Sequence, residues 1–241
     1  MIAFYLPRRV RSAFATHAPI TYGKPSPLND LVQHVNVLRP TPMCRTMTWH
    51  GSDKGRGWHN YTTVYSALLA SYHDRPIRVF ELGLGTTNPN ILANMGAHGR
   101  PGASLRGWRD LFPQAAVYGA DIDRSVLFED ERIRTFFCDQ LDSKAIHDLW
   151  SESDLRDAMD VIIDDGLHTF AGNDSFLRHS LDRLRPGGIY VIEDITEADF
   201  RLWQERLPVC ERDYLGFEFV AAKLPNAANT FDNNLLIARR R

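Results

Sequence analysis

Apolar positions recur along this chain in two rhythms. Five short β-rich runs each end on glycine or acidic residues: 77–82 (IRVFEL) before a glycine turn, 116–120 (AVYGA) before Asp121, and 133–138 before Asp139. Residues 160–163 lead to Asp164 and Asp165, and 188–192 (GIYVI) lead to Glu193 and Asp194. Between them the spacing turns helical. Tyr61, Val64, Tyr65, Leu68 and Leu69 predict one amphipathic helix, Phe176, Leu177, Leu181 and Leu184 a second, stopped by Pro186-Gly187-Gly188, and Phe200, Trp203 and Leu207 a third. Repeated strand-helix units predict an α/β domain with a mostly parallel sheet, right-handed crossovers and helices on both faces. Residues 217–222 and 234–238 break the pattern and predict an antiparallel C-terminal strand pair at the sheet edge.

Residues 1–50 carry prolines at 7, 19, 25, 27, 40 and 42 with little periodicity and read as an irregular arm; 51–75 read as a helical lid segment and 76–241 as the main domain. Residues 98–107 (HGRPGASLRG) read as a mobile loop beside the first turn. Composition adds exclusions. With 28 basic against 30 acidic residues the net charge is -2, which gives no field to attract nucleic acid, and Arg239-Arg240-Arg241 reads as a solvated tail. The opening MIAFYLPRRVRSAF has its apolar stretch before its arginines, the reverse of a secretory signal, and no run reaches membrane-spanning length, so a cytoplasmic protein is expected. Cys44, Cys138 and Cys210 are far apart, form no C-x-x-C pair and read as reduced, inert thiols.

The candidate chemistry lies at the carboxyl ends of the strands, where α/β sheets bind ligands. Gly83 and Gly85 allow a sharp turn and close approach of a ligand, and Asn88-Pro89 looks like a helix N-cap with its first residue. The dinucleotide pattern G-x-G-x-x-G fails, because Asn88 holds the third glycine position and no acid occurs between Glu81 and Asp110. Asp164, Asp165, Glu193 and Asp194 follow two strands expected to be neighbours. Such crowding of like charge implies a cation, and all-oxygen ligands suit a hard ion such as Mg²⁺ over zinc; the alternative is that some of the acids cap helices or meet lysines.

ELGLGT at 81–86 and DID at 121–123 resemble the first two motifs of the class I S-adenosylmethionine-dependent methyltransferases. That resemblance implies a Rossmann-like methyltransferase sheet. It also implies that Glu81, Gly83 and Gly85 surround the amino acid and sugar of the cofactor, that Asp121 takes the ribose hydroxyls, and that Asp139 and Gln140 meet adenine. DDGLH at 164–168 with PGGIYVIEDI at 186–195, and SDKG with HNYT before the core, are similar to a narrower group, the metal-dependent macrocin and mycinamicin-type sugar O-methyltransferases. The likeness runs from about Ser52 to Asp194 and finds no motif around Asn233-Asn234. It implies Mg²⁺ on Asp165, Glu193 and Asp194, His168 as general base, Asp164 facing the cofactor's methionine part, and a sugar hydroxyl on a small-molecule acceptor as the methyl group's destination. The arm before Ser52 is short where the macrolide enzymes carry a large auxiliary region, so a homo-oligomer is left open and another glycoside, a polyketide or a small diol fits equally. Competing readings are an NAD(P)-dependent oxidoreductase, a non-catalytic nucleoside-binding module on the same fold, and metal-free methylation through His168 alone.

Overall fold

The computed structural model describes residues 17–55 and 57–241; the whole opening MIAFYLPRRVRSAF stretch, with Pro7, and Arg56 lie outside the described residues. The parallel core comprises β2 (Arg78–Leu82), β3 (Ala116–Asp121), β5 (Ile133–Phe137), β6 (Met159–Asp164) and β7 (Leu184–Ile192). To these are added β1 (Ile20–Tyr22), β4 (Glu129–Asp130), β8 (Phe217–Lys223) and β9 (Asn234–Arg240). The sheet order is β1-β8-β9-β7-β6-β2-β3-β5-β4. β8 and β9 pair antiparallel, as expected, and β9 also runs antiparallel to β7. The outer edge, however, is β1, which comes from the N-terminal arm and pairs with β8.

Both faces of the sheet are covered, which is why its central strands read as nearly continuous apolar runs. One face, carrying Val79, Val117, Val161, Ile163 and Val191, packs against α1 (Pro27–Gln33), α2 (Pro42–His50), α3 (Tyr61–Leu68) and α4 (Ala103–Leu111). The other, carrying Phe80, Tyr118, Ile162, Tyr190 and Phe219, packs against α5 (Ser143–Ser151), α6 (Phe170–Ser180) and α7 (Glu197–Asp213). Full burial of large side chains such as Trp108 and Trp203 on the two faces stabilises each layer by roughly 1.5–3 kcal/mol per side chain.

Several expectations are corrected. The arm is not irregular over its described part. Pro27 and Pro42 stand at first helical positions, where the missing N–H costs nothing, and Ser26 and Thr41 accept the orphan N–H of Asn29 and Cys44. α3, expected in a lid, is buried on the sheet through Tyr61, Val64 and Tyr65. Asn88-Pro89 starts no helix; the chain turns until α4, whose N-cap is Gly102. The expected mobile loop 98–107 is therefore half helix, with Ala103, Ser104, Leu105 and Gly107 buried. α6 ends at Ser180, and Leu184 already belongs to β7, which runs on through Pro186-Gly187-Gly188. The closing arginines are not simply solvated: Arg239 pairs with Glu218, and Arg240 donates to the carbonyls of Asp182 and Leu184. All three cysteines are free and buried, and burial pushes the Cys138 thiol up to about 12.

Candidate active site

Strand periodicity sorts the acidic residues before any ligand is considered. Glu81 lies opposite Ile163, and Ile163 opposite Val191. Side chains alternate along a strand, so Glu81 and Glu193, two residues past Val191, face the same side as α3 and α4. Leu82, Asp164 and Ile192 lie in register one step on and face α6. Asp165, His168 and Asp194 lie beyond the strand ends, where the backbone turns: Gly83 and Gly85 have φ of 90° and 76°, His168 57° and Asp194 52°. Left-handed φ at a histidine and an aspartate is a strained choice that surrounding structure must hold.

These turns enclose a cavity of about 560 Å³. It is lined by Gly83, Gly85, Asp121, Asp139 and Gln140 and by Asp165, His168 and Asp194, and Lys54 also reaches it. The first turn of α4 reaches it through Ala103 and Ser104, because the Gly102 N–H donates to the carbonyl of Leu84 at 2.7 Å. Asp121 accepts the backbone N–H of Leu84 at 2.7 Å and of Asp123 at 2.8 Å, fixing the glycine turn against the end of β3. Burial raises its pKa against those bonds. Asp139 accepts from the Leu141 N–H at 2.9 Å.

Asp165, His168 and Asp194 offer ligand atoms all within 4.8 Å of one another. His168 Nε2 lies 3.2 Å from Asp165 Oδ1, and its Nδ1 lies 3.7 Å from Asp194 Oδ2. Burial opposes charge on the ring, but Asp194 and Asp165 overcome it and raise the His168 pKa to about 10. Burial likewise opposes charge on Asp165, yet Lys54 and His168 hold its pKa well below the usual carboxylate range. Asp194 Oδ1 accepts from the Tyr61 hydroxyl at 2.9 Å, and His59 Nε2 stands 3.5 Å away.

Three expected site residues stand elsewhere. Asp164 does not face the cavity: it is fully buried, accepts two bonds from Gln140 Nε2 (2.7 and 2.8 Å) and one from Asn173 Nδ2 (3.0 Å), and burial raises its pKa to about 6. Gln140 Oε1 also accepts the Leu167 N–H at 2.7 Å, so the pair braces the turn that carries His168. Glu81 is fully buried and holds Ser104 and Trp108 of α4. Glu193 is not brought into the three-residue group; it accepts from the Tyr65 hydroxyl and pairs with Lys54. The alternative that acids meet a lysine is thus realised at Glu193 and also at Asp165, whose Oδ2 lies 2.5 Å from the same ammonium. Lys54 and Tyr61 belong to the SDKG and HNYT motifs of the sequence reading but are given no individual role there, and Tyr65 counts only as an apolar position of a helix. The unmatched Asn233 and Asn234 are structural, donating to Asn60 Oδ1 and to the carbonyl of Ile195.

The fold that presents these residues is the Rossmann-like sheet of class I methyltransferases. The structure superposes with a TM-score of 0.63 on the MycE methyltransferase of the mycinamycin pathway, solved with Mg, SAH and mycinamycin VI, at 23% identity over 84% of this chain and 56% of that one. In sequence the chain is similar to sugar O-methyltransferases. It is 33% identical, over 70% of its length, to the 8-demethyl-8-alpha-L-rhamnosyl tetracenomycin-C 2'-O-methyltransferase of Streptomyces olivaceus, of which the match covers 41%. It is 32% identical, over 58% of its length, to the mycinamicin VI 2''-O-methyltransferase of Micromonospora griseorubida, of which the match covers 32%. The matches therefore span less than half the length of these relatives. No family model matches it.

Proposed function

We propose that this chain is an S-adenosylmethionine-dependent O-methyltransferase that acts on a hydroxyl of a sugar or glycosylated small molecule, with a divalent cation, Mg²⁺, held by Asp165 and Asp194. The observation that carries this reading is the convergence of Asp165, His168 and Asp194 at one end of a cavity whose other end is a glycine turn capped by Asp121. Carboxylate oxygens on two strained turns fit a hard cation. The sulfonium cofactor supplies an already activated methyl group, and the cation supplies Lewis-acid polarisation and a template for adjacent hydroxyls.

Asp121 lines the cavity beside the glycine turn, where its carboxylate can accept from ribose hydroxyls. Gly83 and Gly85 carry the backbone along the cavity wall at left-handed φ, where the cofactor's amino acid part would lie, and Asp139 and Gln140 would meet adenine. Braced by Asp164 and Gln140, the 164–168 turn holds the His168 ring within reach of the acceptor. With Asp165 and Asp194 committed to a cation, their hold on the imidazole proton is relaxed. The neutral His168 ring could then take the proton of the acceptor hydroxyl as that oxygen accepts the methyl group the cofactor would supply, the cofactor's sulfur keeping the bond electrons. Catalysis here is chiefly positioning and proton removal.

Among the described residues no helix is long and apolar enough to cross a membrane. The acceptor is taken to be a small molecule, as for the named relatives. The reading is tested by calorimetry with S-adenosylhomocysteine against NAD, followed by a glycoside screen for cofactor-dependent methyl gain, with and without chelator. Preference for NAD, or cofactor binding with no methyl transfer to any hydroxyl, would overturn it.

A further inference from the structure

The most heavily paired buried cation of the described chain is Lys54, which is 2% exposed. Its ammonium lies 2.5 Å from Asp165 Oδ2 and 3.4 Å from Glu81 Oε1, and it also pairs with Glu193 Oε2. An ammonium has three donors and no acceptor; two of them are bonded to Asp165 and Glu193, and Glu81 adds an ion pair. The main chain that delivers it is fixed at three points. Lys54 N–H donates to Ser52 Oγ, the Lys54 carbonyl accepts the Thr62 N–H at the start of α3, and a Cβ on Gly55 would stand 2.7 Å from Thr48 Oγ1 and 2.9 Å from the Cys44 carbonyl of α2. Only glycine lets the chain lie so close to α2, and that approach sets the height from which Lys54 enters the site.

We propose that Lys54 is a positioning residue for the transfer reaction. It occupies Asp165 Oδ2 and thereby leaves Oδ1 turned to His168. Through Glu81, which also holds Ser104 and Trp108, it registers the first turn of α4 on the cofactor side against the reacting cluster. Its partnership with Glu193 keeps that buried acid compensated without drawing on Asp194. Lys54 touches no reacting atom; it acts through Asp165. The inference rests on the reading of Asp165 as a cation ligand.

Because Lys54 also lines the cavity, shortening it leaves a recess that a small cation can enter. The experiment is Lys54→Ala assayed for Mn²⁺ binding by paramagnetic resonance and for methyl transfer, with and without n-propylammonium. Residues that orient a metal ligand typically contribute about 10–100-fold in affinity or activity. The expected result is a loss of that size in Mn²⁺ affinity, with homocysteine-cofactor binding retained as a sign of an intact fold. Saturable recovery with n-propylammonium, but not with tetramethylammonium or n-propanol, is also expected. Lys54→Met, which fills the recess, should show the same loss without recovery. Mn²⁺ affinity within threefold of wild type in folded Lys54→Ala overturns the proposal, as does a loss that n-propanol repairs equally well or that no alkylammonium repairs. Should neither variant fold, Lys54→Met combined with Glu193→Gln is compared with Glu193→Gln alone; equal Mn²⁺ affinity overturns the proposal and a further tenfold loss supports it. A wild-type protein that binds no Mn²⁺ and transfers no methyl group would instead defeat the proposed function.

Discussion

Replacing Gly83 by alanine tests the glycine turn as the joint between the cofactor turn and the reacting cluster. Gly83 has φ of 90°, and a Cβ there would stand 1.9 Å from the carbonyl oxygen of Asp165, 2.6 Å from its carbon and 3.1 Å from the Gly166 Cα. All three obstacles are main chain, and that main chain is tied back: the Asp165 N–H donates to Leu82 at 2.9 Å and the Gly83 N–H to Ala120 at 2.8 Å. Carbon–oxygen contacts below about 3.3 Å are already tight, so β2 and β6 must part at their ends by more than an ångström. A left-handed alanine costs roughly 1–2 kcal/mol, the overpacking roughly 1–3, and one lost ladder bond about 1, which totals about 3–6 kcal/mol. That is a large share of the roughly 5–15 kcal/mol by which domains are stable. Gly85→Ala is the control. Its φ of 76° carries the same backbone cost, but the obstacle is the end of the Met95 side chain, Cε at 2.5 Å and Sδ at 2.7 Å, which can swing away, so about 1–2 kcal/mol is expected. Urea unfolding of both variants decides it: a Gly83→Ala loss no greater than that of Gly85→Ala would refute the reasoning.

Gly85→Leu should stay folded yet lose binding of S-adenosylhomocysteine, measured by calorimetry, because its bulk lies in the cavity; normal affinity would place the cofactor elsewhere. His168→Ala should lose about 10²–10⁴-fold in kcat with cofactor affinity little changed, and near-normal turnover with chemistry rate-limiting would assign the base to another group. Chelator should stop turnover and Mg²⁺ restore it, while Asp165→Ala and Asp194→Ala should lose both metal response and most activity but still bind the cofactor; full activity in chelator makes the carboxylates structural. In metal-free protein the His168 pKa is raised from 6.5 to about 10, so the stability its charge contributes is complete below pH 6.5 and is lost as pH rises towards 10. Thermal melts in chelator should fall across that window for wild type and flatten for His168→Gln; parallel profiles would show that the ring is not held charged.

How far the sequence discloses this molecule depends on whether a signal is local. The five strands are legible because burial on both faces writes largely apolar runs, each closed by a glycine turn or a turn acid. The arm is misread although its signals are present, since Ser26-Pro27 and Thr41-Pro42 are cap and first-turn pairs and not loop prolines. Asn88-Pro89 fails in the opposite sense. It has the local form of a helix start, but the residues after it give no stripe to bury: Leu92 is 77% exposed, whereas Leu105 and Trp108 of α4 are fully buried. A cap without a face to pack does not make a helix.

The acids show the same division more sharply. Alternation along β2, β6 and β7 already places Glu81 and Glu193 on one face and Asp164 on the other, which leaves Asp165 and Asp194, beyond the strand ends, to share the mouth with His168. What alternation cannot supply is the partner. Lys54 and Asp165 are 111 positions apart, and Lys54 and Glu193 are 139 apart. In the sequence Lys54 is one position of the SDKG motif with no partner in view, until the fold brings it against Asp165 and Glu193. Glu193 therefore looks like a cation ligand in sequence because its compensating charge lies out of local range. The same ammonium also meets Asp165, so one distant residue joins the acids of two neighbouring turns, a pairing that no count of acids along the chain discloses.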